Sequence, residues 1–314
     1  MKTQNPTATN KTTTTKLQKD SAVLQQIGIL PTQTGNDPFI KPPKKSFTKL
    51  TSTALQARLR IFQASQRPTA LHGEWFETAY GRCQVEGRLG QRHADLLSAI
   101  LVSIEGYRPS TDGGVEILID PYAIRQSLSE SHQYSYSQFK LLLKDLATAL
   151  ITLDSPTIKT TGHLIDFYEE SKLVRFNPLT KGDRSPFVIK IGKVLAKLIA
   201  DDYPLFYNPE PLTRLNYGIS QAVARYILTH YREPNGGWII DNIVRQLTGP
   251  IKSGTLRIHR MRLHEDAPLL ARLGVIVEED RIHLGKKAVE DISDVENVHD
   301  ESNGWVDVPQ LQLF

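Results

Sequence analysis

Two stretches of this chain carry the same succession of periodicities, and that doubling constrains the fold more than any other feature. In the first, "RLGQRHADLLSAILVSIEGY" sets Ala94, Leu97, Leu101 and Ile104 on one helical stripe that ends at Gly106 and Pro109. The turn at Asp112–Gly114 leads to the short strand "VEILI". Asp120 before Pro121 then reads as an N-cap, with proline where its missing N–H costs nothing, and opens the short helix "PYAIRQSLSE". Ser135 and Gln138 stand at capping-box spacing, and Tyr136, Phe139, Leu143, Leu146 and Leu150 continue as an amphipathic helix. "TIKTTGHLIDFYEESKLVRF" and "SPFVIKIG" read as strands on either side of the turn "NPLTKGD". The order returns from Gly218: the helix "GISQAVARYILTHYR", the turn "NGG", a short helix closed by Gly249, the basic helix "SGTLRIHRMRLHED", and a hairpin turning on Glu279 and Asp280. Architecture repeats here, while no tight sequence repeat is visible.

The order of helix, strand, helix, turn, helix and hairpin predicts an α+β, mainly helical chain of two tandem winged helix-turn-helix domains, at 55–210 and 211–287. Charge sets off the ends. Residues 1–60 hold 10 Lys and Arg against 2 Asp and Glu, residues 61–284 hold 26 against 25, and residues 285–314 hold 2 against 7. The arm at 1–54, rich in Thr, Asn, Gln, Pro and Lys, cannot supply a core and is expected to be disordered; an acidic tail occupies 288–314. No apolar run is long enough to span a bilayer and no secretory signal opens the sequence, so no membrane partner is expected and the location is expected to be cytoplasmic. Cys83, the single cysteine, excludes an internal disulfide and reads as a core filler.

No catalytic constellation survives inspection, so the expectation is a protein that is not an enzyme and needs no cofactor. There is no phosphate-binding Gly-x-x-x-x-Gly-Lys loop and no His-Glu-x-x-His. His259 and His264 stand five residues apart, on different sides of a helix, so no metal site is expected there, and the acidic pairs Glu169/Glu170, Asp201/Asp202 and Glu278/Glu279 read as solvated faces. Nucleic-acid binding has the stronger case. On the basic helix, Leu256 and Leu263 share a seam, with Leu270 in line, while Arg257, Arg260, Arg262 and His264 interleave with Ile258 and Met261 on the outside. Guanidinium groups pair with guanine edges or phosphates, and apolar groups touch thymine methyls. Lys252, Ser253 and Thr255 at its start suit phosphate contacts, and Arg281 and His283 extend the set on the hairpin. In the first domain Lys140 and Lys144 lie on the matching helix, and Lys159, Lys172, Arg175, Lys181 and Arg184 on the strands and turn after it, marking a weaker DNA contact or a homodimer surface. Pro268 predicts a kink or restart after Asp266.

From about residue 55 to 285 the pattern resembles plasmid replication initiators of the winged-helix Rep type, and most closely the TrfA family. "RLRIF", "HLIDFYEESKLVRF" leading to "FVIKIGKVLAKLIADDY", "LTRLNYGISQAVARYILTHYREP" and "LLARLGVIVEED" carry the resemblance. It implies a non-enzymatic protein that binds repeated double-stranded origin sites (iterons) and recruits host replication proteins, the host initiator and replicative helicase among them. Some such initiators also carry a Gln-Leu-x-Leu-Phe segment similar to the peptide that docks on the bacterial sliding clamp. Gln310, Leu311, Leu313 and Phe314 match it position by position, Leu and Phe suiting an apolar groove and Gln a polar register. The alternative is a winged-helix transcriptional repressor whose tail packs on its own domain.

Overall fold

The computed structural model describes residues 39, 50–110, 114–128, 134–171, 175–177 and 182–285. Strand β1 (Ser52–Thr53) and helix α1 (Ala54–Arg58) lead into a long hairpin, β2 (Leu71–Thr78) and β3 (Gly81–Gly87). Helix α2 (Gln91–Val102) runs directly into β4 (Ile104–Pro109), and β5 (Val115–Ile119) pairs back on it. Helices α3 (Pro121–Ser127) and α4 (Tyr136–Thr148) follow, then β6 (Leu150–Asp154), β7 (Lys159–Gly162), β8 (Ile165–Glu170), β9 (Arg175–Asn177), β10 (Gly182–Arg184) and β11 (Phe187–Ile191). Helix α5 (Lys193–Asp201) and β12 (Pro204–Leu205), which pairs with β1, complete the first lobe. The second lobe is α6 (Glu210–Thr213), α7 (Gly218–Ile227), β13 (Trp238–Ile239), α8 (Ile240–Thr248), α9 (Ser253–Glu265), α10 (Ala267–Arg272), β14 (Val275–Glu278) and β15 (Arg281–Leu284).

This is a mixed α/β architecture with antiparallel sheets, and it corrects the expectation of a mainly helical tandem of winged helix-turn-helix domains. The first lobe rests on two four-stranded sheets, ordered β2-β3-β6-β7 and β4-β5-β11-β8. Part of that strand content was hidden at the ends of helices. Helix α2 stops at Val102, and Ile104, expected as the last member of its apolar stripe, instead opens the strand Ile104–Pro109 paired with β5. Leu150, in line with the α4 stripe, begins β6, because Ala149 turns the backbone to extended geometry at ψ 122°. In the β2–β3 hairpin only one face is buried: Cys83 and Val85 lie in the core while Trp75 and Arg82 face outward.

The local caps form as the residue types require. The Asp120 carboxylate accepts from the Tyr122 N–H at 2.8 Å, and Ser135 and Gln138 exchange side-chain and backbone bonds at 3.2 and 2.9 Å. The first-lobe core includes Leu50, just ahead of β1. One core fills the first lobe around Leu97, Ile100, Phe139 and Phe187, and another fills the second around Val223, Ile227, Val244 and Leu263. A polar seam joins them. Arg225 on α7 is buried against Asp95 on α2, and also donates to Gln91 Oε1 at 3.2 Å and Tyr207 Oη at 3.1 Å. Gln221 Nε2 donates to Asp95 Oδ2 at 3.1 Å. The segment near Ser65 is wedged between the starts of α2 and α7: a Cβ at Gly90 would lie 2.4 Å from Ser65 O, and one at Gly218 would lie 2.6 Å from Gln66 N. Among the described residues no helix is long and apolar enough to cross a membrane.

Candidate nucleic-acid interface

Helix α9 is seated by its leucines. Leu256 and Leu263 are buried against α7 and α8, and Leu270 continues the seam on α10. Between α9 and α10 the side chain of Asp266 is fully buried. Its carboxylate accepts from Asn216 Nδ2 at 2.7 Å and from the Asn216 and Tyr217 N–H groups at 3.3 and 3.2 Å, which ties the end of α9 to the start of α7. The helix therefore restarts after Asp266, one residue before Pro268 would have clashed with an unbroken turn. At the other end, Gly249 closes α8 at φ +80° with the Arg60 guanidinium pressed against it, Arg60 Nε donating to Leu247 O at 3.1 Å.

Facing outward, α9 presents Ser253, Thr255, Arg257 and His264 to solvent, with Lys252 just ahead of its first turn. Ile258 and Met261 lie among them at 45% and 53% exposure, large for apolar side chains on a helix that already has a buried seam. Lys252 and Arg257 have no ion-pair partner among the described residues. Arg260 is different: both arms of its guanidinium engage the Asp241 carboxylate on α8, which holds that carboxyl below the usual range. Arg262 lies over the Tyr217 ring at 5.2 Å. His259 is partly buried with an unpartnered Nδ1, and burial, helped by Arg262, lowers its pKa and keeps the ring neutral.

The hairpin beside this helix is less cationic than its arginine suggests. Arg281 donates to Gly236 O at 2.6 Å and lies 3.9 Å from Asp280, while His283 is 3.5 Å from Glu233 and 4.0 Å from Glu278. With Glu279 also at the turn, the tip is acidic. Lys252 and Arg257, exposed and without an ion pair among the described residues, therefore put positive charge at the N-terminal half of α9.

In the first lobe three of the four expected cations whose side chains are described are spent internally. Lys140 pairs with Glu170 at 3.0 Å, Lys159 lies 3.7 Å from Asp154, which Arg82 also binds, and Arg184 pairs with Asp120 at 3.2 Å with its guanidinium over the Tyr122 ring. Lys144 remains exposed. The backbone of Arg175 lies in β9, and Lys172 and Lys181 fall outside the described residues, as do Gln310, Leu311, Leu313 and Phe314. Among the described residues no group of three or more His, Cys, Asp or Glu could hold a metal, and Cys83 is buried with its thiol pushed up to about 12 by desolvation. The Asp95–Arg225 pair was missed from sequence, because Asp95 lies off the stripe of Ala94, Leu97 and Leu101 and is buried only by the second lobe. No protein-family model, curated protein or solved structure matches the chain.

Proposed function

We propose that this chain is a sequence-specific, double-stranded DNA-binding protein that reads DNA through α9, and that it serves as a plasmid replication initiator. One observation carries the DNA reading: a helix fully seated by Leu256 and Leu263 turns Arg257, Ile258 and Met261 outward together, with Lys252 and the open N–H groups of Ser253–Thr255 at its start. Cationic and apolar groups on one exposed helical face match the mixed polar and methyl surface of the major groove, and the helix N-terminus suits phosphate. Arg257 reads a base edge, Lys252 neutralises backbone charge, and Arg260 contributes by orienting against Asp241. Lys144 is the cation of the first lobe best placed for an additional backbone contact, since its neighbours are paired.

The initiator reading rests on the sequence resemblance and on the closing "QLQLF". The DNA test is selection of a preferred duplex from a random library by full-length protein, followed by titration at several salt concentrations. Affinity falls as salt rises, because each neutralised phosphate releases counterions. Arg257→Ala weakens the selected site by about 1–3 kcal/mol; no enriched duplex, or unchanged affinity in this variant, sinks the assignment. The initiator reading is tested separately, by anisotropy with a bacterial sliding clamp. Saturable binding that is lost when residues 310–314 are removed supports it, and an absence of clamp binding alongside intact DNA binding returns the protein to the repressor class.

A further inference from the structure

The sheet β4-β5-β11-β8 has one face on the main core, through Ile117, Ile119, Phe187 and Ile189. Its other face points away from that core, yet Leu118 and Val188, paired across β5 and β11, are only 0% and 3% exposed. Among the described residues Phe39, itself 4% exposed, packs on them, and these three form an apolar cluster separate from both lobe cores. The slot is built on three sides. Leu118 and Val188 make its floor, and Gly106, the partner of Leu118 on β4, puts no side chain on that flank. Above, the Arg108 guanidinium lies 4.5 Å from the centre of the Phe39 ring. Arg108 is held there by Glu116, whose Oε2 accepts from Nε at 2.7 Å while Oε1 accepts from Ser110 Oγ at 3.0 Å. An apolar floor under a cation fixed by a largely buried carboxylate selects an aromatic side chain over an aliphatic one.

We propose that this outer sheet face is a docking slot for the chain's own N-terminal arm, with Phe39 as its aromatic anchor. The arm is then a tethered ligand of the first lobe and not a free basic tail. The occupant belongs to the same chain: ten residues separate Phe39 from Leu50, the next described residue, and an extended segment of that length reaches about 35 Å. The inference stands apart from DNA binding by α9 and does not depend on it.

The test uses full-length protein carrying Phe39→Ala, which empties the slot but leaves both lobe cores intact, and a fluorescein-labelled peptide of residues 34–45. The labelled peptide binds this variant saturably in anisotropy, and binds the unaltered chain at least tenfold more weakly because the tethered arm competes at an effective concentration on the order of millimolar. A peptide in which the Phe is replaced by Ala also loses at least tenfold. Equal binding to both proteins, no saturable binding, or indifference to the peptide's Phe overturns the proposal. Arg108→Ala in the otherwise unaltered chain gives an independent reading, since release of the anchor speeds trypsin cleavage after Lys45 several-fold. An unchanged cleavage rate counts against the slot, and protection that grows with protein concentration replaces the tethered occupant with the arm of a second copy.

Discussion

Arg225 and Asp95 lie off the apolar stripes of their helices, yet each is buried in the seam between the lobes. Charges so placed are tolerated because every strong group is met: Arg225 also reaches Gln91, Ser98 and Tyr207, and Asp95 also accepts from Gln221. The consequence of removing one partner differs from that of removing both. Arg225→Met leaves the Asp95 carboxylate buried without its counter-charge, and breaking such a pair costs about 3–5 kcal/mol. Replacing Asp95 by Leu in the same chain removes the stranded charge and recovers most of the loss. Urea unfolding of the two variants and the parent checks this; a double variant no more stable than the single one shows that the seam depends on the hydrogen bonds and not on the charge balance.

At the scale of elements, what was legible followed from local rules. The caps at Asp120 and Ser135, the seam of Leu256 and Leu263, the restart at Asp266 and the turn at Glu279 each depend on residues a few positions apart, and each formed as its residue types require. What was not legible depends on distant partners. Ile104 and Leu150 continue helical stripes in sequence, but β4 and β6 exist because β5 and β3 offer them hydrogen-bonding edges. The same limit applied to the site. Arg257 and Met261 were readable as an outward face, since a helix fixes direction locally. The pairing of Arg260 with Asp241, 19 residues earlier, and of Arg184 with Asp120, 64 residues earlier, was not. Counting cations thus overstated the charge that the first lobe can offer to DNA.

Polar and aromatic contacts join the two lobes, and one of these is sensitive to pH. His230, just beyond α7, has Nε2 3.0 Å from Tyr80 Oη at the β2–β3 turn and Nδ1 2.9 Å from Tyr226 O, with the Trp238 ring edge-on at 5.4 Å. Tyr80 lies under the Arg58 guanidinium, which donates to Thr229 O at 2.6 Å, so a fixed positive charge stands beside the imidazole. Burial, with Arg58 adding to it, lowers the His230 pKa from its usual 6.5 to about 4. The folded protein therefore holds this ring neutral, while the unfolded chain takes up a proton near pH 6.5. Between those values the unfolded state binds more protons, so the contribution of His230 is complete above pH 6.5, is lost progressively as pH falls, and is gone below about 4. At 1.36 kcal/mol per pKa unit the full effect is about 3 kcal/mol. His230→Gln keeps a polar side chain without the titration. Its stability relative to the parent, measured by urea unfolding at pH 7 and pH 4.5, improves by about 2–3 kcal/mol at the lower pH, because the other buried titrating groups, such as His93, are common to both proteins. A constant difference between the two proteins at both pH values places the acid sensitivity elsewhere than in the seam that holds the lobes together.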